Sequence, residues 1–216
     1  MQEFIEVTGI ILKQTPIGEY DRRICLLTKE RGKISAFVRG SRKPGSRLSS
    51  ATNPFSFGIF KLYEGKNSYN VAEVDIQNYF EGLRTDYIGA YYGMYFAEIA
   101  DYYTRENSDD REMMKLLYQS LRALGVPSLP KELVRFIFEI KSIVVNGEFP
   151  GVPEGMDLEA STEYALNFIV ESSIEKLFTF TVSEQVLKQL ESLADHYRMK
   201  IMDREFKSLE ILKTLG

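Results

Sequence analysis

The sequence predicts an α+β chain: a five-stranded β-barrel over residues 1–80, followed by an all-helical domain over residues 81–216. Three observations carry this. Up to residue 80 apolar runs are short, rich in Ile, Val and Phe, and separated by turn residues, as strands are; beyond it apolar residues recur every three to four positions, as on helices. The charge changes with the period. Residues 1–80 hold twelve Lys and Arg against eight Asp and Glu, whereas residues 81–216 hold fifteen against twenty-three. Finally, 216 residues, 44% of them hydrophobic and 27% charged, are enough to bury two modest cores.

The strands follow in order. Residues 4–13 form the first, residues 23–29 the second, and the Arg31-Gly32 turn leads into a third over residues 33–39. A loop rich in Gly, Ser, Arg and Pro occupies residues 40–50 and is expected to lack packed structure in the free protein. Residues 55–63, a turn over residues 64–67 and residues 68–75 complete five strands, which at this length cover their inner faces by closing into a barrel.

Asp86 is placed to cap a helix running to about residue 104, with Tyr87, Tyr91, Tyr95 and Tyr102 at helical spacing beside Ile88, Tyr92, Phe96, Ile99 and Tyr103. Such an apolar helix belongs in a core. Ser108 is expected to cap a second helix ending before Gly125, and a third spans residues 131–145, stopped at Asn146-Gly147. Residues 148–159 read as a loop. Further helices are expected over residues 161–172, 183–202 and 206–215.

The functional signal lies in residues 22–47, RRICLLTKERGKISAFVRGSRKPGSR, which hold nine Lys and Arg against one acid, Glu30, in a chain of net charge -4. Bulk composition does not account for that stretch, and a local positive surface attracts a polyanion such as nucleic acid. In the third strand, alternation puts Ile34, Ala36 and Val38 on the inner face and Lys33, Ser35, Phe37 and Arg39 on the outer one. Cations neutralise phosphates, and an exposed ring offers a base a stacking platform. The following loop adds Arg42, Lys43 and Arg47.

Other chemistries lack their parts. One histidine, His196, and one cysteine, Cys25, leave triads unsupported and disulfides within the chain impossible. Cys25, in an apolar run, is expected in the core. Neither GxxxxGK[ST] nor GxGxxG occurs, so nucleotide cradles are missing, and a zinc site of sulfur and imidazole ligands lacks its four donors. No cofactor and no catalytic residue is expected. Carboxylates for a magnesium nuclease are plentiful, but they lie mainly on helices away from the basic stretch. The absence of a long apolar run or a basic N-terminal leader predicts a cytoplasmic protein with no membrane partner.

The series GIILKQTPIGEYDRRICLLTKERGKISAFVRGSRKPGSRL, then PFSFGIFKLYEGK, resembles the N-terminal domain of the RecO family of DNA repair proteins and recombination mediators, and FKSLEIL is similar to the family's C-terminal signature. The resemblance implies an OB-fold barrel with a helical domain behind it, and a non-catalytic, nucleoid-associated protein that binds single- and double-stranded DNA. It further implies annealing of strands coated by single-stranded-DNA-binding protein, and cooperation with a RecR-like partner in loading RecA at gaps. Lys33, Arg39, Arg42, Lys43 and Arg47 match the family's basic motif.

Many members of that family carry a four-cysteine zinc site after the third helix of the helical domain, whereas residues 146–161, NGEFPGVPEGMDLEAS, hold no cysteine. The expectation here is no zinc, a shortened loop, and packing alone holding it. The resemblance also implies docking of the acidic, apolar tail of single-stranded-DNA-binding protein on the helical domain, with Lys131, Arg135 and Lys141 as candidate contacts. An adaptor that binds protein partners through its barrel and reaches DNA only through them is the alternative reading.

Overall fold

The computed structural model describes residues 4–65 and 68–215. The five strands are β1 (Phe4–Ile17), β2 (Asp21–Thr28), β3 (Gly32–Val38), β4 (Phe57–Glu64) and β5 (Tyr69–Asn78). They close into a barrel in the order β1-β2-β3-β5-β4. β1 pairs antiparallel with both β2 and β4, and β3 closes the barrel by pairing in parallel with β5 at Ala36 and Phe37. This is the five-stranded OB-fold barrel. The turn expected over residues 64–67 lies partly outside the described residues.

The barrel closes because every strand supplies an alternating apolar face. Val7, Ile11, Ile24, Leu26, Ile34, Ala36, Val38, Phe60, Leu62 and Tyr69 form one buried cluster, each large side chain contributing about 1.5–3 kcal/mol by leaving water. A register shift between Ile11 and Lys13 bends β1 so that its two halves serve two neighbours. Gly58 is required where β4 crosses β5, since a Cβ there would lie 2.1 Å from the Asp75 carbonyl oxygen.

Eight α-helices follow or interrupt the strands among the described residues: α1 (Leu48–Ala51), α2 (Gly82–Thr85), α3 (Tyr87–Tyr103), α4 (Arg111–Leu124), α5 (Lys131–Val145), α6 (Ala160–Glu171), α7 (Glu184–Ile201) and α8 (Lys207–Leu215). The chain forms two compact units, one of Met1–Thr85 with Ala97–Met114, the other of Asp86–Phe96 with Lys115–Gly216. The first is thus the barrel together with the end of α3 and the start of α4.

In that first unit the β2–β3 turn is fastened to the segment after α3. The Lys33 amide donates to the Arg105 carbonyl at 2.8 Å and the Asn107 amide to the Arg31 carbonyl at 2.9 Å. Gly32 makes this approach possible: its φ is +62°, and a Cβ would meet the Arg105 carbonyl oxygen at 2.3 Å.

The second unit is a helical bundle. Phe96 stacks on Phe138 at 4.4 Å between ring centroids, and Tyr95 meets Phe206 edge-on at 5.5 Å. Asp86 caps α3 as expected, accepting from the Gly89 amide at 2.9 Å. Ser183 does the same for α7 through the Val186 amide at 3.3 Å. The loop after α5 is held by Phe149 against Tyr197 and by the Tyr197 hydroxyl donating to the Gly151 carbonyl at 2.9 Å, so a hydrogen bond joins the packing expected there.

Several expectations are corrected. Ser108 does not cap α4; its Oγ turns back to accept from the Arg105 amide at 3.2 Å, and the helix starts later, at Arg111. Tyr92 and Tyr95 are core residues of α3, but Tyr87 and Ile88 are exposed, because the first turn of that helix has only part of its circumference covered. Residues 40–50 are not without packed structure: Ser41 is fully buried with its hydroxyl on the Val38 carbonyl at 3.1 Å, and α1 begins within the stretch.

Candidate nucleic-acid interface

The outer face of β1, β2 and β3 carries the side chains that alternate with the barrel core. Its rows follow from the register. Thr15 pairs with Arg23 and Arg23 with Phe37, while Lys13 pairs with Cys25 and Cys25 with Ser35. In OB-folds the face of strands two and three, with the adjoining loops, receives oligonucleotides and oligosaccharides.

The two ends of this face differ electrostatically. At one end Asp101, from the last turn of α3, takes both lysines: Lys13 Nζ lies 2.8 Å from its Oδ2 and Lys33 Nζ 3.0 Å from its Oδ1. Lys33 also reaches the Asp101 carbonyl oxygen. Although burial opposes it, these ammonium groups hold the Asp101 carboxyl below its ordinary value of 3.8. Cys25 lies here rather than in the core, since Ile24 and Leu26 take the inward positions; its Sγ is 3.7 Å from Asp101 Oδ1. Burial, and then the Asp101 charge, push its thiol up to about 11, so it stays protonated and is a poor nucleophile. Together with Arg23, Ser35 and Glu106 these groups line a shallow cavity of about 440 Å³.

At the other end the cations stand open. Arg39, Arg42, Lys43 and Arg47 are all exposed in the turn and loop that leave β3. That loop is positioned rather than loose: the Arg42 amide donates to the Tyr20 carbonyl at 2.8 Å, Arg42 Nη1 to the Gly18 carbonyl at 3.0 Å, and the Gly40 amide to Asp21 Oδ1 at 2.8 Å. The β1–β2 turn and the basic loop are therefore one ledge. Lys43 Nζ lies 5.7 Å from the centre of the Tyr20 ring, which is 42% exposed. Arg22 anchors α1 beneath it, donating from Nη1 to the Ser49 carbonyl at 2.7 Å and to Thr52 Oγ1 at 2.8 Å. Burial, and then the like charge of Arg42, lower the Arg22 pKa, a sign of cations crowded on this ledge. Glu30, the one acid of the basic stretch, is turned away to accept from the Thr8 amide at 2.9 Å.

The structure thus brings Arg39, Arg42 and Lys43 together in one loop and places Lys33 at the other, paired end. Phe37 is half-buried on the outer face next to Arg23, whose Nε donates to Ser35 Oγ at 2.6 Å. Arg47 immediately precedes α1. Two more residues stand on this face or its ledge beyond the sequence candidates: Arg23, beside Phe37, and Tyr20, against Lys43. Arg23 was legible from alternation, since Ile24 and Leu26 point inward. Tyr20 sits in a turn, and no periodicity marks which way a turn aromatic points.

The helical unit treats its cations differently: of the three candidate contacts, Arg135 and Lys141 are buried rather than on a helix surface. Arg135 is 8% exposed, with Nε 2.8 Å from Glu139 Oε1 and Nη2 2.9 Å from Asp195 Oδ1. Glu139 is fully buried and also accepts from the Tyr95 hydroxyl at 2.5 Å. Lys141, 6% exposed, donates to the Val170 and Ser172 carbonyls at 2.7 and 2.8 Å, closing the end of α6. Lys131 is partly exposed and pairs with Asp86 at 3.0 Å. Among the described residues no group of three or more His, Cys, Asp or Glu side chains could hold a metal. Residues 146–161 do not fit the four-cysteine zinc site. No helix among the described residues is long and apolar enough to cross a membrane.

Comparison with known proteins agrees with this architecture. Residues 1–80 match the family model for the recombination protein O N terminal region, and residues 84–152 match that for its C terminal region. The DNA repair protein RecO of Acetivibrio thermocellus is 27% identical, aligned over 98% of this chain and 97% of its own length. That of Clostridium perfringens strain 13 is 26% identical over 97% of each chain. The Bacillus pumilus protein of the same name is 32% identical over 68% of this chain and 57% of its own length. With both parts of the family pattern matched in order, across an OB-fold barrel and the helices behind it, the chain belongs to the recombination protein O, or RecO, family.

Proposed function

We propose that this protein is a DNA-binding recombination mediator in DNA repair. It binds single- and double-stranded DNA on the barrel, promotes annealing of complementary strands, and with a RecR-like partner helps RecA load at gaps coated by single-stranded-DNA-binding protein. The observation that supports this most is the ledge of Arg39, Arg42 and Lys43, left exposed beside Phe37 and Tyr20 on the OB-fold's outer face. The relatives' shared name, DNA repair protein RecO, points the same way.

The physical mechanism is charge screening. Two strands approaching each other carry like charge, and cations bound to both backbones release counterions and lower the repulsion, while base pairing supplies the specificity. Arg39, Arg42, Lys43 and Arg47 contact phosphates. Phe37 and Tyr20 offer rings to unpaired bases, each stack worth about 1–3 kcal/mol. The protein works by binding, at the nucleoid, and needs no cofactor. The helical domain, residues 81–216, carries the protein contacts, including the tail of single-stranded-DNA-binding protein.

The test is annealing of complementary labelled oligonucleotides, bare and coated with single-stranded-DNA-binding protein. The expected result is acceleration by the purified protein that added salt abolishes. Acceleration only when a protein partner is present, with no binding to bare DNA, would replace this reading with that of an adaptor.

A further inference from the structure

Lys13 and Lys33 belong by position to the same outer face as Arg23 and Phe37, yet both ammonium groups converge on one carboxylate. Asp101 presents one oxygen to each, at 2.8 and 3.0 Å. Two lysines around one anion is the arrangement a backbone phosphate would take between them, and the carboxylate already fills that place. Lys13 keeps a side chain 60% exposed but holds its ammonium on the carboxylate; Lys33, at 20%, is further tied to the Asp101 carbonyl oxygen. Asp101 itself is fixed, because it lies on α3 in the same compact unit as the barrel, and the turn at Gly32 is hydrogen-bonded to the segment following that helix.

Resting on the reading of the barrel as a DNA site, we propose that Asp101 sets the length of the nucleic-acid track by occupying Lys13 and Lys33 in place of a phosphate. The strand then runs from Arg23 and Phe37 to the loop cations and stops short of the paired lysines. A carboxylate at this place makes the site shorter and weaker than the lysine count of the face implies. The bound strand can then be handed on more readily.

The experiment measures the salt dependence of single-stranded oligonucleotide binding for the full chain, Asp101→Asn, and Lys13→Gln with Lys33→Gln in each background. Asparagine keeps the shape and removes the charge. The expected results are a log-log slope steeper in Asp101→Asn by up to about 1.4, two contacts at roughly 0.7 each, a gain that the added lysine substitutions abolish, and no change when the lysines alone are substituted. An unchanged slope in Asp101→Asn, with the wild type binding normally, overturns this inference and leaves the DNA reading intact; no salt-dependent binding by the wild type overturns both. Should Asp101→Asn fail to fold, the lysine variant decides: an unchanged slope supports the proposal, a reduced one overturns it.

Discussion

Arg42 and Lys43 on the barrel and Arg135 and Lys141 in the helical unit are the same kinds of side chain put to different use. The first two are exposed, and the Arg42 contacts to the β1–β2 turn position the loop through carbonyl oxygens, which leave its charge unneutralised. The second two are buried, Arg135 against two carboxylates and Lys141 against two carbonyl oxygens. A cation can meet an external anion only where the fold leaves its charged end exposed and unpaired. By that criterion the proposed polyanion surface lies on the barrel, where Arg39, Arg42 and Lys43 are exposed, and not at the buried Arg135 and Lys141.

Arg135 is the cation whose loss should cost the fold most. Replacing it by Met leaves Glu139, fully buried, without its guanidinium, and breaking a buried pair in this way costs about 3–5 kcal/mol. Urea denaturation should show the loss, and the salt slope of DNA binding should not change. A stable Arg135→Met protein with weakened DNA binding would make Arg135 a DNA contact rather than a core ion pair.

Next in size is Phe37→Ala. The ring lies on the outer face beside Arg23, so its removal should weaken single-stranded binding by about 1–3 kcal/mol. Binding to duplex, whose bases are already stacked, should fall much less, and competition between the two forms measures the difference. Equal losses on both would make Phe37 a structural residue.

The smallest effect concerns pH. The Asp101 carboxyl is held below 3.8 by Lys13 and Lys33. A group whose folded pKa is depressed adds stability that is present above its unfolded value and lost as pH falls through the folded one. Wild-type stability should therefore decline below pH 3.8 with a component that Asp101→Asn lacks, as the urea midpoint followed against pH would show.

Much of this fold was legible because period and punctuation agreed with burial. The alternation of Ile34, Ala36 and Val38 with Lys33, Ser35 and Phe37 gave the correct faces of β3, and α5 spans Lys131–Val145 as its apolar spacing predicts. Local signals were less reliable where long-range contacts decide. Cys25 has apolar neighbours in sequence, yet strand alternation turns it outward to Asp101, 76 residues away. Ser108 has the chemistry of a cap, but the chain bends there to meet the β2–β3 turn. Arg135 and Lys141 look like surface charges, because nothing local announces Asp195 or the end of α6. The same blindness applies to Lys33, whose neutralising partner is a helix residue 68 positions on.

The role of the exposed loop cations is tested most directly by fluorescence anisotropy of a labelled single-stranded oligonucleotide at several salt concentrations, with the wild type beside the triple charge reversal Arg39→Glu, Arg42→Glu, Lys43→Glu. The expected result is binding by the wild type that weakens steeply with salt and is lost in a reversal variant that remains folded, since these exposed side chains leave the barrel core untouched. Wild-type affinity retained in the reversal variant would contradict it.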